Sequence, residues 1–464
     1  MSTSRTASRA LSRAARRRSL AAVVAASALA LSACGGDGGG GSGGDGGSDV
    51  EPVTQEQIDE AMSTPTELTF WTWLPDAQKE VDLFEKAYPD ISVNLVNAGQ
   101  GLDQYTKLRT AIRAGEGAPD VAQIEYQYLS SFNLGGDLLD LGPYGASELE
   151  GTYPDWVWEQ ITRDGAVYGI PQDIGPMGSL YRQDILDEAG IEPPATWDEF
   201  AEAARTLHEQ MPDTYLTNMP GNDPGQFVGL LWQNGAKPFG FDGDETVTID
   251  LDSPEVTEVV DYWQGLISEG VVSTDADFND QWYQGLSNGK YASWQTAAWG
   301  PVFLQGTAAN TSGLWRAAAL PAWEEGETAT GNWGGSTDAV LSSTDNPIAA
   351  AQLAKFINTD QESALTLALD QFLFVPSDVV LEDQEFLDAA PEFFGGQQVN
   401  QLFTELSTEV DTDFGWLPFT DYAYNSFNDT LGTAIAEGGD MAAGLAAWEQ
   451  DITSYAEQQG FTVQ

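Results

Sequence analysis

The sequence predicts an α/β fold in which a mostly parallel sheet is covered by helices. Two observations carry that prediction. From Thr66 to Ile124, strand-type alternation and helix-type apolar stripes follow one another in the order β-α-β-α-β. Parallel neighbours in such an order need crossover connections, and these lay helices on the sheet. The chain is also long, with 464 residues. Roughly 400 of them follow the N-terminal segment, which is enough for two or three domains, or for two lobes with separate cores.

The elements follow in order. Leu68 to Trp73 (LTFWTW) is a strand candidate, and Gln78 to Tyr88 carries the helical stripe Val81, Phe84, Tyr88 before Pro89 ends it. Ile91 to Val96 alternates as a strand, Tyr105 to Ala114 reads as a helix broken by Gly115 to Pro119, and Asp120 to Ile124 is the third strand. Ala166 to Pro171 is strand-like, leads into a Gly/Pro turn at Gly175 to Gly178, and is followed by a second strand at Ser179 to Tyr181. Thr196-Trp197-Asp198-Glu199 is a capping box that opens a helix to about Glu209. Ser253-Pro254 and Asn346-Pro347 start two more helices, with proline at the first helical position. Asp421 to Glu457 is dominated by helical pattern, and Gly331 to Ser336 reads as a turn. Asp242-Gly243-Asp244 reads as a hairpin turn, since its spacing lacks a full calcium loop.

The N-terminus has the layout of a secretory signal. Six arginines, Arg5, Arg9, Arg13 and Arg16 to Arg18, precede a short apolar stretch, Leu20 to Leu31. About a dozen apolar residues are too few for a stable membrane span. Leu31-Ser32-Ala33-Cys34 then looks like a bacterial lipobox, which implies that Cys34 is acylated and becomes the new N-terminus. A buried, unmodified Cys34 is disfavoured by the Gly-rich sequence that follows it. Arg17-Arg18-Ser19-Leu20 also resembles a twin-arginine export signal, although a general positive n-region is the preferred reading. Residues 1–33 are therefore expected to be removed. Residues 34–65 are expected to form a lipid-bearing tether, of which Gly35 to Ser48 is a flexible coil spanning about 20 Å. Asp49 to Pro65 is polar and partly helical in pattern, and the folded body is expected from Thr66.

Charge and composition exclude several functions. The chain has 18 basic and 72 acidic residues, a formal charge of −54. All six arginines of the signal are lost with it, which leaves 12 basic against 72 acidic residues. Such a surface repels nucleic acid and anionic lipid. The acids are spread rather than blocked, which fits a solvated surface better than a dedicated cation receptor. Cys34 is the single cysteine, so no disulfide or cysteine metal cluster forms within the chain. His208 is the single histidine and lies on the polar face of a helical stretch, where a solvated side chain is expected. No zinc pair, phosphate-binding GxxxxGK[ST] loop or convincing triad is present, and no metal, cofactor or catalytic residue is assigned.

Aromatic residues are in surplus, with 15 Trp, 15 Tyr and 20 Phe. Tryptophan needs a partner for its N–H and is a costly core filler, so the surplus points to stacking surfaces for a ligand. In open parallel sheets, ligands sit beyond the carboxyl ends of strands. That rule selects Trp71 and Trp73 after the first strand, Glu125, Tyr126 and Tyr128 after the third, and Asp173 after the crossing strand. It also selects Trp294 and Trp299 at and beyond the Tyr291 strand, and the glycine turn with Trp333 and Gly334. Trp416 and Tyr424 are further candidates. Trp197, Trp263, Trp315 and Trp448 read as core, and Trp156 and Trp158 as packing on a lobe surface.

Several segments together resemble the extracellular solute-binding proteins of ABC importers, in the branch that takes up carbohydrates. They are YTKLRTAIRAGEGAPD at 105–120, DGAVYGIPQDIGPMGSLYRQDILDEAG at 164–190, PATWDEFAEAA at 194–204, SNGKYASWQTAAW at 287–299, and the stretch from Leu320-Pro321 to Asp338 with its Gly-Gly pair. The resemblance runs from about Thr66 to the C-terminus. It implies a two-lobe, periplasmic-binding-protein-like (type II) fold with hinge strands and a ligand cleft. One lobe is then 66–171 plus 322–375, and the other 176–320 plus 377–464. It also implies a monomeric carrier rather than an enzyme, held outside the cell membrane and serving two permease membrane subunits driven by a cytoplasmic ATPase. Trp299 matches the family's ligand-stacking position.

A sugar suits such a cleft. Its C–H face matches an aromatic ring, with area burial contributing about 25 cal/mol per Å². Its hydroxyls match carboxylates and amides at about 1.5–3 kcal/mol per charged hydrogen bond. Two other readings stay open from the residues alone: a secreted glycoside hydrolase, since acids and tryptophans line such sites too, and a receptor for a cationic or peptide solute.

Overall fold

The computed structural model describes residues 51–464 except Pro75. The signal, Cys34 and the Gly-rich tether lie outside the described residues.

The centre is a seven-stranded mixed sheet. Its strands are β1 (Thr66–Trp71), β2 (Ile91–Val96), β3 (Val121–Glu125), β4 (Ile170–Arg182), β5 (Ser293–Ala297), β6 (Trp315–Ala319) and β7 (Asn332–Val340). The order is β6-β4-β7-β3-β1-β2, with β5 also paired to β4. β2, β1 and β3 run parallel, as the β-α-β-α-β pattern requires. The other pairings are antiparallel, so the sheet is less parallel than the sequence suggests. The cause is that β4 and β7 are long strands running against their neighbours. β4 pairs with β7 over Ile170 to Pro176, and then with β5 and β6 over Met177 to Arg182. It thus stitches two halves of the sheet together.

Two expected turns are therefore strand. Gly175 to Gly178 does not interrupt β4. The Gly175 amide donates to Asn332 Oδ1 at 2.9 Å, and Pro176 has no amide to satisfy. A side chain at Gly175 would overlap the Trp333 carbonyl, so close strand approach explains this glycine. Gly331 to Ser336 is likewise not a free turn. It opens β7 with register shifts between Asn332 and Gly335 and between Ser336 and Thr337, and Gly334 and Gly335 take φ values of +74° and +94°.

Most other elements lie where the pattern places them. The Gln78–Ala87, Leu102–Ala114, Trp197–Gln210, Pro254–Glu269 and Pro347–Thr359 helices match expectation within a few residues. Thr196 caps its helix by accepting from the Glu199 amide, while Glu199 reaches back to the amide of Ala195, one residue before the cap. The 239–249 segment is a hairpin whose turn is tied by Asp242 accepting the amides of Asp244 and Thr246. The C-terminal region forms the Thr420–Asp429, Leu431–Glu437 and Met441–Gln459 helices.

The folded body begins before Thr66. The Gln55–Met62 helix has a complete capping box between Thr54 and Gln57, buries Met62, and packs on the Pro347–Thr359 helix. The Val53 amide also donates to Pro143 O at 2.9 Å. His208 is half-buried and stacks on Tyr215 with centroids 5.3 Å apart, rather than standing in solvent. Trp197, Trp263, Trp315 and Trp448 are buried core, as expected. Trp156 is buried too, its indole donating to Ser407 O at 2.9 Å, and Trp158 stacks on Tyr153.

Candidate functional site

The carboxyl end of β3 runs straight into the Tyr126–Asn133 helix, which places Glu125 at that helix's N-cap. Residues 222–225 do the same for the Pro224–Gln233 helix. Asp223 caps it by accepting the Gln226 amide at 3.0 Å, and Pro224 sits at its first position. Both acids therefore stand at helix N-termini, where backbone N–H groups favour negative charge. The bulged start of β7 supplies Asn332, Trp333 and Gly334. The 414–416 segment and the Thr420–Asp429 helix supply Trp416, Tyr424, Asn425 and Asn428. These pieces enclose a cavity of about 280 Å³, also walled by Leu102, Gln127, Tyr128, Asn222 and Gly225.

Its chemistry is aromatic and acidic, with amides between. The Tyr105 hydroxyl donates to Glu125 Oε2 at 3.0 Å, and Gln127 donates to Glu125 Oε1 at 3.1 Å. Burial dominates and pushes the Glu125 carboxyl up to about 7, against the lowering effect of those two bonds. Burial raises Asp223 as well. Behind Asp223, Asn222 clasps Asp277 with two hydrogen bonds of 3.0 and 3.1 Å, and Asp277 is also raised, first by burial and then by the charge of Asp223. The cavity wall contains no Lys, Arg or His. Among the described residues, no group of three or more His, Cys, Asp or Glu could hold a metal ion, and no helix is long and apolar enough to cross a membrane.

The family description "Bacterial extracellular solute-binding protein" matches residues 71–364. The chain belongs to that family.

Relatives of this solute-binding protein include the arabinooligosaccharide-binding protein of Halalkalibacterium halodurans, 27% identical over 79% of this chain and 85% of the relative. The lactose-binding protein of Rhizobium radiobacter is 26% identical over 80% of this chain and 86% of its own. Among solved structures, an ABC transporter associated binding protein from B. animalis subsp. lactis Bl-04, in complex with β-1,6-galactobiose, superposes with a TM-score of 0.76. It is 33% identical and covers 86% of this chain and 99% of its own. The architecture is the two-lobe, type II periplasmic-binding fold.

Glu125, Trp333, Gly334, Trp416 and Tyr424 are brought together at the cavity. The other five candidates are not. Trp294 is 1% exposed and sits behind Trp299 and Trp333 in an aromatic cluster. Its place inside β5 turns the ring into the core. Trp299 is half-buried, and its indole N–H donates to Trp333 O at 2.7 Å. It supports the wall from behind. Asp173 accepts the Ser336 amide at 2.9 Å and so ties β4 to β7. Tyr126 packs its ring where a Cβ on Gly335 would be, 2.8 Å away. Trp73 lies edge-on to Tyr105, one ring removed from Glu125.

Asn222, Asp223, Asn332, Asn425 and Asn428 escaped the sequence reading. Asp223-Pro224 carried a usable signal, since Asp before Pro marks a helix start. The asparagines carried none, because a cavity-facing asparagine looks like any surface one until the helices are placed.

Proposed function

We propose that this protein is a carbohydrate receptor of an ABC importer, lipid-anchored through Cys34 on the outer face of the cell membrane. It takes a sugar or oligosaccharide into the cavity between two lobes, 66–171 plus 322–375 and 176–320 plus 377–464. It then passes the solute, unaltered, to two permease subunits driven by a cytoplasmic ATPase. It acts as a monomer.

One observation carries the reading: the cavity is lined by half-buried Trp416 and the largely buried Trp333, beside Glu125, Asp223, Asn425 and Asn428, and by no cation. Rings match a sugar's C–H faces, and acids and amides match its hydroxyls. The absent cations disfavour phosphorylated or uronic ligands. The names of the relatives, which bind arabino-oligosaccharides and lactose, support the same class. Ligand contact with both halves favours a closed form by differential affinity, and closure changes the surface offered to the permease.

Titration calorimetry with lactose, arabino-oligosaccharides, β-1,6-galactobiose and maltodextrins tests the proposal. Micromolar binding of one class, about −8 kcal/mol, is expected. Binding of none refutes it.

A second reading, a glycoside hydrolase, is favoured by one feature: two carboxyls with raised proton affinity, Glu125 and Asp223, share one cavity. New reducing ends after incubation with the bound sugar would establish that reading over the first.

A further inference from the structure

Behind the cavity wall, Asn222 and Asp277 hold each other by two hydrogen bonds. The Asn222 side-chain amide donates to Asp277 Oδ1 at 3.0 Å, and the Asp277 backbone amide donates to Asn222 Oδ1 at 3.1 Å. Asp277 does not line the cavity, but both ends of this clasp bear on residues that do. Asn222 leads at once into Asp223. Asp277 leads into Phe278, whose ring lies 6.1 Å from Trp299 and 6.0 Å from Trp333.

Phe278 shows how firmly this corner is fixed. Its φ is +52°, in the left-handed region that a bulky side chain avoids. The residues on either side hold it there. Asp277 is clasped by Asn222, and Asn279 donates to Ala276 O at 2.8 Å and Asp277 O at 3.3 Å while capping the next helix at the Trp282 amide. A strained backbone persists only where its surroundings over-determine it.

The other oxygen of Asp277 is unmatched. Oδ2 is buried and accepts no hydrogen bond, in a residue only 3% exposed. Two titratable groups face it: Asp223 from the 222–225 segment and Tyr283 from the Asp280–Asn288 helix. Among the described residues, no lysine, arginine or histidine offsets either carboxyl. Lys290 is committed to Asp275 instead. Two buried carboxyls without a cation do not both ionise readily, so the pair keeps one proton. Asp223 accepts the Gln226 amide at a helix N-terminus, which favours its charge. The proton then falls to Asp277 Oδ2, the atom that ionisation would leave charged, buried and without a donor. Burial, followed by the charge of Asp223, raises Asp277 in the same sense.

We propose that Asp277 is a positioning residue of the ligand cavity: with a proton on Oδ2 it holds Asn222, leaves Asp223 as the ionised acceptor for a ligand hydroxyl, and sets Phe278 against Trp333. The inference rests on the carbohydrate reading and adds to it a protonation state on which binding depends. Once Asp277 ionises, a second negative charge stands beside Asp223 with no donor to receive it. Affinity is therefore full while Asp277 is protonated and falls as pH rises through its titration.

Calorimetry on the mature protein from about pH 6 to 9 tests this, with the tightest binder among lactose, β-1,6-galactobiose and arabino-oligosaccharides. Wild-type affinity is expected to fall about fivefold or more toward the alkaline end. Asp277→Asn keeps the acceptor of the clasp without the charge. Its affinity should stay within about twofold of wild type at the acid end and lose most of the alkaline fall. Glu125 titrates in both proteins, so the difference between them isolates Asp277. Asp277→Ala breaks the side-chain half of the clasp and should bind about fivefold more weakly throughout. Wild-type affinity that does not change with pH overturns the proposal. So does an Asp277→Asn profile parallel to wild type, an Asp277→Asn loss equal to that of Asp277→Ala, or undiminished binding by Asp277→Ala. If no sugar binds, the carbohydrate reading falls separately, and thermal unfolding without ligand still decides the proton. The margin by which Asp277→Asn melts above wild type should then widen as pH rises over the same range, and a constant margin refutes the protonated Asp277.

Discussion

The indole N–H of Trp299 donates to the backbone carbonyl of Trp333 at 2.7 Å, and the two rings meet edge to face with centroids 4.7 Å apart. One tryptophan thereby sets the position of another, and only the second reaches the cavity. The arrangement sits at the crossing of β4 and β7, where Asn332 holds the Gly175 amide and the Gly334 carbonyl. Trp333 thus owes its place to backbone and ring contacts on two sides.

Removing the Trp299 hydrogen bond is expected to loosen Trp333. Trp299→Phe keeps a ring and loses the donor, a change of about 1 kcal/mol in stability. Trp299→Ala also empties part of the cluster formed with Phe278, Trp294 and Phe303 and is expected to cost about 3 kcal/mol or more. Sugar affinity should fall tenfold or more in the alanine variant, about 1.4 kcal/mol. Thermal unfolding and calorimetry on both variants check the order. Unchanged affinity in Trp299→Ala would show that Trp333 needs no support.

Gly175→Ala should damage the site from the other side. The added methyl overlaps the Trp333 carbonyl and lies 2.9 Å from Trp299 Nε1. Overpacking of this kind costs about 1–3 kcal/mol. Reduced denaturation midpoint together with weakened sugar binding is expected. Gly265→Ala, at a helix glycine with open space around it, is the control and should be neutral or mildly stabilising.

Asp338 makes stability depend on pH. It is fully buried on β7, where Gln172 and Asn358 donate to its two oxygens, and burial pushes its carboxyl up from 3.8 to about 7. The folded form therefore holds a proton that the unfolded form gives up. Its contribution is fully present below about pH 4 and is lost as pH rises through about 7. Asp338→Asn removes the buried charge, and the unpartnered carbonyl oxygens of Gln172 and Asn358 can turn to accept its amide. The variant is expected to melt higher than wild type at pH 8, and by a clearly smaller margin at pH 5. A lower melting temperature at pH 8 would contradict this account.

The proposed membrane attachment rests on one atom, the Cys34 sulfur. Cys34→Ser is expected to shift the protein from the membrane to the soluble fraction after cell fractionation, with sugar affinity unaltered. Retention in the membrane pellet would remove the lipid anchor from the proposal.

Local chemistry explains what could be read in advance. Ile91 to Val96 is a strand end to end, since β-branched alternation and a preceding proline both act over a few residues. Thr196 and Ser253 each mark a helix start because capping is satisfied within one turn, and at Asn346 the start is set by Pro347 at the first helical position, without a side-chain cap. Glu125 lines the cavity, where the strand-end rule places it, because it closes β3. The glycines at 175, 334 and 335 misled, since glycine signals either a turn or a close approach of two strands, and only the partner strand distinguishes them. Trp294 and Trp333 both stand in strands and are both largely buried, and nothing in their neighbours along the chain says which of them borders the cavity.

By itself, then, the sequence determined the order of elements, most of their ends, the α/β class and an acidic, aromatic-rich body. These follow from side-chain spacing and capping, which act between near neighbours. The tertiary structure decided that β4 runs unbroken through Gly175, that the Trp299 indole donates to the Trp333 carbonyl, and that Asp223, Asn425 and Trp416 meet Glu125. Such outcomes depend on packing between segments some hundreds of residues apart, where a ring's exposure is set by what lands against it.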